Sequence, residues 1–510
     1  MPAAGSKHLA RAAQDAFERR GDYESLLFEG RWHRSGELFT RARAIATGLV
    51  GLGLQAGDRV AVTMANCPEV GVVYQAVWRA GLVATPATFL LGTEDLRHVL
   101  RDSGARAVVT TSELLDKVRT AAADIDPRPH LICTEHADGV TALGELETAP
   151  PGEIVPRADD DLAALLYTGG TTGRAKGVML SHAALHWAGS AAYASSHVDG
   201  VNRSLGALPL SHAYGLLITV SGFHSSERDV SVLLRWFDPD VFLRAVQEHR
   251  LQRAAVVPSM LQALLARPLQ DYDLSSLRYV TSGASPLPPE TERAFAERVP
   301  SVSIRQGYGL TESGALVATN PVGRMRSGSV GVPVPGCVVE IRDGRGRPLP
   351  VGEVGEICVR SPGLMTGYWR APETTAKTIR EGWLRTGDVG RFDEDGYLYV
   401  VDRLKDLIIR GGFNVYPRDV EDALVEHPDV AMAGVVGAPS DSHGEEVVAF
   451  VSPRGGAQLD AERLVQWSRE RIGGYKYPRR VHVLDELPLT AVGKVDRKAL
   501  RARLQRARDR

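Results

Sequence analysis

Glycine, threonine and basic residues are concentrated in Tyr167-Thr-Gly-Gly-Thr-Thr-Gly-Arg-Ala-Lys-Gly-Val178, which lies between two apolar segments. Glycine lets the backbone approach a ligand closely, so consecutive N–H groups can surround an anion. The threonine hydroxyls add donors, and Arg174 and Lys176 add positive charge. The spacing is not that of a Walker phosphate loop, and the segment leads into a strand instead of a helix. It predicts either a polyphosphate-binding loop or a flexible surface loop.

The composition is that of a globular chain with more than one domain. With 510 residues, the chain is too long for a single core. A formal charge of −2 argues against a general nucleic-acid-binding protein, and the basic end at 497–510 is explained by a solvated helix. We expect no membrane span, because no apolar run is long enough. We expect a cytoplasmic location with reduced thiols, because the cysteines are scattered without CxxC spacing: Cys67, Cys133, Cys337 and Cys358.

The first part of the chain alternates between helix and strand patterns. Apolar residues from Leu38 to Leu52 follow a helical period, and we predict Ser35 as the N-cap. Gly51-Leu-Gly-Leu-Gln-Ala56 mimics a dinucleotide-binding fingerprint, but it closes a helix and leads into a strand, so we reject that function. Further helices are predicted at 68–80 and 93–102 and strands at 81–84 and 107–110. This alternation predicts an α/β fold with mainly parallel layers.

The remainder of the chain has two other patterns. Strands at Val338–Arg342 and Gly355–Arg360, followed by a hairpin turn at Asp395-Gly396, predict a small β subdomain. Beyond residue 402, the predicted order is helix, strand, strand, helix and strand, which is typical of a small α+β domain. We therefore predict an N-terminal domain at 1–402 and a C-terminal domain at 403–510.

Three predicted strands end in turns, at 256–260, 280–287 and 304–314, and the last two turns contain glycine. In an open α/β sheet, ligands bind where several strand ends converge, so the three turns indicate one site. Each could instead be a structural turn. The segment Leu208-Pro-Leu-Ser-His-Ala-Tyr-Gly-Leu216 carries His212, which from the residues alone is either an ordinary core histidine or part of a pocket.

Six segments in this order resemble the adenylate-forming superfamily of acyl- and aryl-CoA synthetases, adenylation domains and luciferases. The resemblance spans nearly the whole chain and is strongest to acyl-CoA synthetases. The six segments are Tyr167–Val178, the His212 segment, Gln306–Ser313, Leu384–Gly390, Asp402–Gly412 and Pro488–Lys494.

The resemblance implies an ATP-dependent acid–CoA ligase. A carboxylate attacks the α-phosphorus of ATP and expels pyrophosphate, and the CoA thiol then displaces AMP to give the thioester. Lys494 would bridge the carboxylate and the α-phosphate as a mobile charge. Because Lys494 belongs to the small domain, that domain must close and later rotate. Lys405 would be the hinge, and Gly411 and Gly412 would flank the CoA tunnel.

The resemblance also assigns the other site residues. Lys494, Thr311 and Glu312 would be catalytic, and Glu312 would be the Mg²⁺ ligand. The ATP and AMP site would contain Thr168, Gly169, Gly170, Thr171, Thr172, Gly173, Lys176, Gly283, Ala284, Ser285, Gln306, Gly307, Tyr308, Gly309, Thr311, Asp388, Arg403 and Lys494. The substrate pocket would contain His212, Tyr214, Gly215, Met260, Gly283 and Gly307.

The acid is less closely specified than the reaction. Gly307 stands where relatives that activate malonate carry Arg, so we expect a hydrophobic monocarboxylic acid, aliphatic or aryl, as the small-molecule substrate. Two alternatives remain: an enzyme that loads a carrier-protein thiol, and a non-catalytic nucleotide-binding relative. The carrier protein and a homodimer stay open as partners.

Overall fold

A computed structural model of the chain describes residues 6–168, 174–440, 442–490 and 494–508. The described residues form four sheets, surrounded by helices. The α-helices span Leu9–Arg20, Ser35–Gly51, Pro68–Arg79, Thr93–Ser103, Leu115–Ala122, Leu143–Leu146, His182–Ser196, Ala213–Ser221, Pro239–His249, Pro258–Leu265, Pro289–Arg298, Pro372–Thr378, Pro417–Val425, Ala461–Arg471 and Arg497–Arg508. Short 3₁₀ helices span Ser112–Leu114, Gly222–His224, Leu269–Asp271, Thr311–Ser313 and Leu404–Asp406.

The first sheet has eight strands and carries the glycine- and threonine-rich segment. In spatial order, its strands are Gly367–Tyr368, Lys176–Ser181, Leu162–Thr168, Val83–Pro86, Arg59–Thr63, Ala107–Thr110, His130–Cys133 and Thr141–Ala142. The last six are parallel, and the first two are antiparallel to their neighbours. Helices connect the parallel strands in a βαβ arrangement, except between His130–Cys133 and Thr141–Ala142, where the connection contains no helix.

The second sheet has nine strands and lies beside the predicted pocket segments. In spatial order, its strands are Val332–Pro333, Ala318–Thr319, Ser303–Tyr308, Tyr279–Ser282, Arg253–Val256, Arg203–Gly206, Val230–Leu233, Glu24–Phe28 and Arg31–Arg34. The six strands from Ser303–Tyr308 to Glu24–Phe28 are parallel. Their carboxyl ends therefore meet at one edge, where the predicted turns begin.

Two smaller sheets complete the fold. An antiparallel five-stranded sheet forms the β subdomain, with strands Val338–Arg342, Gly355–Arg360, Trp383–Phe392, Ile379–Arg380 and Leu398–Arg403. The last sheet contains Phe413–Val415, Ile408–Arg410, Gly444–Pro453, Val430–Ser440 and Arg480–Val483. The predicted α/β fold with a small β subdomain and an α+β C-terminal part is confirmed by this arrangement.

The buried apolar residues separate into clusters that do not cross the region around residue 402. Three clusters contain residues between Leu9 and Leu398, and two contain residues between Ile408 and Leu500. The division at 402/403 remains a prediction. Arg403, which pairs with Asp388, is the last residue of the strand Leu398–Arg403. A boundary at 402/403 therefore separates Arg403 from the rest of its strand.

One local prediction is wrong. The helix predicted to follow Ser35 includes Ser35 itself, and Arg34 is the N-cap without a side-chain bond. The Ser35 hydroxyl instead donates to the Gly21 carbonyl at 3.0 Å, which ties the helix to the preceding loop. Within the part of the chain that the structure describes, no helix combines the length and the apolar character needed to cross a bilayer.

Candidate active site

A cavity of about 1700 Å³ lies where the ends of the two large sheets meet the C-terminal part of the chain. It brings together most of the residues predicted for the site. Of these, Thr168, Lys176, His212, Tyr214, Gly283, Ala284, Ser285, Gln306, Gly307, Tyr308, Gly309, Thr311, Glu312, Asp388, Arg403, Lys405 and Lys494 line its wall.

The predicted phosphate loop connects two antiparallel strands. Thr168 and Lys176 are paired across them and so stand at the two ends of the loop. Gly169, Gly170, Thr171, Thr172 and Gly173 lie outside the described residues. The exposed ammonium of Lys176 is 5.3 Å from the centre of the Tyr368 ring, a cation–π distance that holds the lysine at the cavity.

Glu312 is fixed by the same tyrosine. It lies in the short 3₁₀ helix Thr311–Ser313, directly after the strand that ends at Tyr308. The Tyr368 hydroxyl donates to Glu312 Oε1 at 2.8 Å, and burial together with this carboxylate raises the pKa of Tyr368. The tyrosine therefore stays a donor, and Glu312 keeps lone pairs that this hydrogen bond does not use.

Asp388 is held between two partners. The Tyr308 hydroxyl donates to Asp388 Oδ2 at 2.7 Å, and Arg403 Nε is 3.0 Å from Asp388 Oδ1. Only 4% of Asp388 is exposed, so these charge-assisted contacts fix its carboxylate in the wall. Burial, followed by the charge of Asp388, raises the pKa of Tyr308 well above its usual value.

His212 begins the helix Ala213–Ser221, which we call the pocket helix. Its Nδ1 accepts a hydrogen bond from the Tyr214 backbone N–H at 3.3 Å, so His212 is the N-cap. Burial and then the charge of Lys494 lower the pKa of His212 to about 4. The imidazole is therefore neutral at pH 7, and with Nδ1 accepting, its proton is on Nε2.

Gly215 supports the pocket helix without lining the cavity. A Cβ at this position would collide with the Pro209 carbonyl oxygen and approach Leu210 Cα to 2.5 Å. The absence of a side chain lets the first turn of the helix sit against the preceding loop. Gly215 is therefore placed behind the wall of the pocket.

The strand-end turns have distinct surroundings. Ala284 adopts a left-handed φ of 66°, directly after Gly283, where a Cβ would approach Tyr214 Cε1 to 3.3 Å. Gln306 donates through Nε2 to Glu292 Oε2 at 3.2 Å, so its side chain is held by the helix Pro289–Arg298. Both turns thus contribute to the wall of the same cavity.

Lys494 is delivered by a short loop near the C-terminus. Thr490 N–H donates to the Lys494 carbonyl at 2.7 Å, and Leu489 and Val495 form an antiparallel bridge. Burial and the charges of Arg403 and Lys405, opposed by Asp388, lower the pKa of Lys494 to about 8. This accumulation of cations makes the cavity a site for a polyanion.

Lys405 and the glycine pair are placed differently. Lys405 lies in the 3₁₀ helix Leu404–Asp406, at the junction of the subdomain sheet and the C-terminal sheet. Gly411 and Gly412 form the two-residue turn between strands Ile408–Arg410 and Phe413–Val415, with φ values of 57° and 84° that favour glycine. Neither glycine lines the cavity in this arrangement.

Met260 does not line the cavity, contrary to the prediction. Its side chain packs against the core beneath the second sheet, while Ser259 and Gln262 of the same helix line the wall. The sequence reasoning also missed Tyr368, which orders Glu312, and Arg305, which lies in the wall two residues before Gly307. Strand alternation was the available signal for Arg305, because i and i+2 share a face.

The fold and this cavity define an enzyme of the AMP-binding family. Residues 13–369 match the family model described as AMP-binding enzyme, and residues 419–494 match the model described as AMP-binding enzyme C-terminal domain. The chain belongs to this family, and the predicted membership of the adenylate-forming superfamily is confirmed.

Particular relatives cover almost the whole chain. It is 38% identical to a feruloyl-CoA synthase from Amycolatopsis sp. over 92% of this chain and 93% of the relative. It is 35% identical to a long-chain-fatty-acid–CoA ligase from Bacillus subtilis strain 168, over 97% and 94%. The solved structure of the amide bond synthetase McbA from Marinactinospora thermotolerans superposes with a TM-score of 0.88 at 33% identity, covering 97% of this chain and 99% of that chain.

Proposed function

We propose that this protein is an AMP-forming acid–CoA ligase that activates a carboxylic acid with a largely apolar body. One observation carries the proposal: Lys494 lines the same cavity as His212, Glu312, Asp388 and Arg403. The cavity therefore contains groups that can bind a carboxylate, a nucleotide and a triphosphate.

In the first step, a carboxylate oxygen bonds to the α-phosphorus of ATP, and the bond from that phosphorus to the pyrophosphate oxygen breaks. Lys494 places its ammonium between the two anions and offsets the charge that builds up on the α-phosphate. The neutral His212 has Nε2–H to offer to the carboxylate without protonating it. Asp388 accepts from the ribose hydroxyls, with Arg403 holding it in place.

Mg²⁺ fits the cavity through Glu312. Mg²⁺ is bound in proteins by one or two carboxylates together with substrate phosphates and water. Glu312, positioned by Tyr368, is a hard oxygen donor that retains free lone pairs. When bound, the ion neutralises phosphate charge and orients the triphosphate.

In the second step, the CoA sulfur bonds to the acyl carbon, and the bond from that carbon to the AMP oxygen breaks. Gly411 and Gly412 lie off the cavity, so this step requires the C-terminal part to rotate about the Lys405 region and bring their turn to the adenylate. The exposed ring of Phe413, with 59% of its surface accessible, and the exposed Ile409 flank that turn and would be covered.

A panel of acids tests the function. Pyrophosphate release should require an acid with an apolar body and should be stimulated by CoA, with AMP and a thioester as products. Short dicarboxylates should be poor substrates, because Gly307 places no cation close to the carboxylate that reacts. If acyl transfer occurs only to a holo-carrier protein or to an amine, the adenylating half of the proposal stands and the CoA half fails. If no acid gives AMP, the protein is a non-catalytic relative.

We also propose the division into domains at 402/403 and a cytoplasmic location. The separate core clusters support the division. The four cysteines are all buried and free, which suits a reducing compartment.

A further inference from the structure

One face of the second sheet carries several polar side chains where it borders the cavity. Its opposite face belongs to an apolar core that includes Val256, Val280 and Ile304. Because side chains alternate along a strand, the intervening residues face the other way. Five of those line the cavity on neighbouring strands: Ser204, Ser231, Arg253, Thr281 and Arg305.

Arg305 is the buried charge on this face. Only 1% of the residue is exposed. Its Nε and Nη2 donate to the Asn320 carbonyl at 3.0 and 2.8 Å, and Nη2 also donates to the Ser195 carbonyl at 2.6 Å. Nη1 is buried without a hydrogen-bond partner among the described residues.

The charge of Arg305 is also uncompensated. Arg253 on the same face is paired with Asp229 at 3.0 Å. For Arg305, no carboxylate of a described residue lies within 4.0 Å. Its neighbour is the Tyr279 ring, whose centre is 5.2 Å from the guanidinium carbon. The hydroxyls of Tyr279 and Tyr214 donate elsewhere, to Ser196 and Thr281 carbonyls.

A structural role explains part of this arrangement. Ser195 and Ser196 end the helix His182–Ser196, so Arg305 and Tyr279 satisfy carbonyls that a helix leaves without partners. That role uses Nε and Nη2. It does not explain Nη1, and a neutral donor would fill it without the free-energy cost of burying an unpaired cation.

The location of Arg305 relates it to the acid. Arg305 precedes Gly307 by two residues on one strand and shares its face, about 7 Å back along the strand from the end that leads to Thr311 and Glu312. Gly283 and Gly307 are side by side on adjacent strands and present bare backbone, with the Tyr214 ring packed against Gly283. A flat ring fits beside such a surface.

We propose that Arg305 is a specificity-determining residue that binds an oxygen acceptor at the far end of the acid, and that the substrate is an aryl carboxylic acid with a phenolic oxygen. This inference rests on the proposed acid-activating function. The ring lies over Gly283 and Gly307, its carboxylate faces Lys494, and Arg305 Nη1 donates to the phenolic oxygen.

Matched acids that differ in one oxygen test the proposal. The wild-type enzyme should show a kcat/KM for pyrophosphate release at least about tenfold higher for 4-hydroxycinnamate than for cinnamate, or for 4-hydroxybenzoate than for benzoate, because a charge-assisted hydrogen bond is gained. In Arg305→Gln the ratio should fall towards one. If Arg305 is purely structural, Arg305→Gln should lower kcat/KM equally for both acids and leave the ratio unchanged. That result overturns the proposal.

Arg278→Gln is the matched control. Arg278 is an exposed arginine directly before the neighbouring strand Tyr279–Ser282, and its variant should keep the wild-type ratio.

If Arg305→Gln does not fold, a measurement on the wild-type protein still tests the proposal. Bound 4-hydroxycinnamate should show increased phenolate absorbance relative to free acid at the same pH, since a cation stabilises the phenolate. Equal use of the paired acids, an unchanged spectrum, or a preference for a saturated fatty acid overturns the inference while the proposed function stands. Absence of activity with every acid overturns the proposed function itself.

Discussion

His212 and Lys494 line the same cavity although they are 282 residues apart in the sequence, numbered 212 and 494. His212 caps the pocket helix of the large α/β part, and Lys494 lies in a loop of the C-terminal part. After burial, the charge of Lys494 is the cause that lowers the pKa of His212. The structure therefore places the Lys494 ammonium near enough to His212 to act on its charge, as the proposed acid activation requires.

The lowered pKa of Lys494 predicts an alkaline loss of activity. The ammonium, and not the amine, bridges the two anions, and its pKa is about 8 in the free protein. The kcat/KM for pyrophosphate release should be constant below this pH and fall as pH rises through it. In Lys494→Arg, whose guanidinium stays charged, the rate should be lower but the alkaline fall should disappear. The same fall in both proteins would assign it to another group.

Asp388 and Tyr308 should act as one unit in nucleotide binding. Asp388→Asn should raise the KM for ATP roughly 10- to 100-fold, because charge-assisted hydrogen bonds contribute about 1.5–3 kcal/mol. Tyr308→Phe removes the hydroxyl that donates to Asp388. The loss of ATP-binding free energy in the double variant should be smaller than the sum of the losses in the two single variants. The difference, which is their coupling energy, should be about 0.5–3 kcal/mol. The exposed hairpin variant Asp395→Asn should behave as wild type. Additive effects would mean that the 2.7 Å contact has no role in binding ATP.

Glu312 should set the Mg²⁺ requirement. Glu312→Gln removes the anionic ligand and should raise the Mg²⁺ concentration for half-maximal rate at least about tenfold. Tyr368→Phe keeps the carboxylate but removes the hydrogen bond that orients it. We therefore expect a smaller increase in the Mg²⁺ concentration for half-maximal rate. Mg²⁺ titrations at fixed ATP measure both, with the exposed Glu373→Gln as control. Unchanged titration curves for Glu312→Gln would place the metal ligand elsewhere.

Arg497 should anchor the loop that carries Lys494. Its Nη2 is 2.7 Å from Glu421 Oε2, and its Nη1 is 3.4 Å from Oδ2 of Asp406, which is next to Lys405 in one 3₁₀ helix. Arg497→Gln leaves the partly buried Glu421 without its charged partner and should lower the free energy of unfolding by about 3 kcal/mol, the lower end of the range for buried ion pairs. Calorimetric unfolding measures this loss. Arg506→Gln, on the exposed side of the same helix, should have no effect. Equal stability of the two variants would show that the ion pairs are not structural.

Much of the fold could be predicted because its elements have strong local patterns. The strands Ala107–Thr110, Val338–Arg342 and Gly355–Arg360 follow the predicted bounds. Clear turn residues, such as Gly396 with its φ of 79°, fix the connections. The C-terminal elements also lie within a few residues of their predicted positions.

The errors arose where local sequence does not determine which way a residue faces. Met260 was predicted for the pocket, but the helix that begins at Pro258 turns Ser259 and Gln262 to the cavity instead. Arg305 was missed because its importance depends on a distant partner, the end of the helix His182–Ser196.

The most direct measurement separates the two half-reactions in Lys494→Ala. Pyrophosphate exchange should fall roughly 10²- to 10³-fold, the cost of removing one transition-state donor. Conversion of a preformed acyl-adenylate and CoA to the thioester should keep its wild-type rate, because the proposed rotation removes the lysine from the site before that step. Unimpaired exchange in the variant, or an equal loss in both half-reactions, would contradict the central role of the Lys494 charge in acid activation.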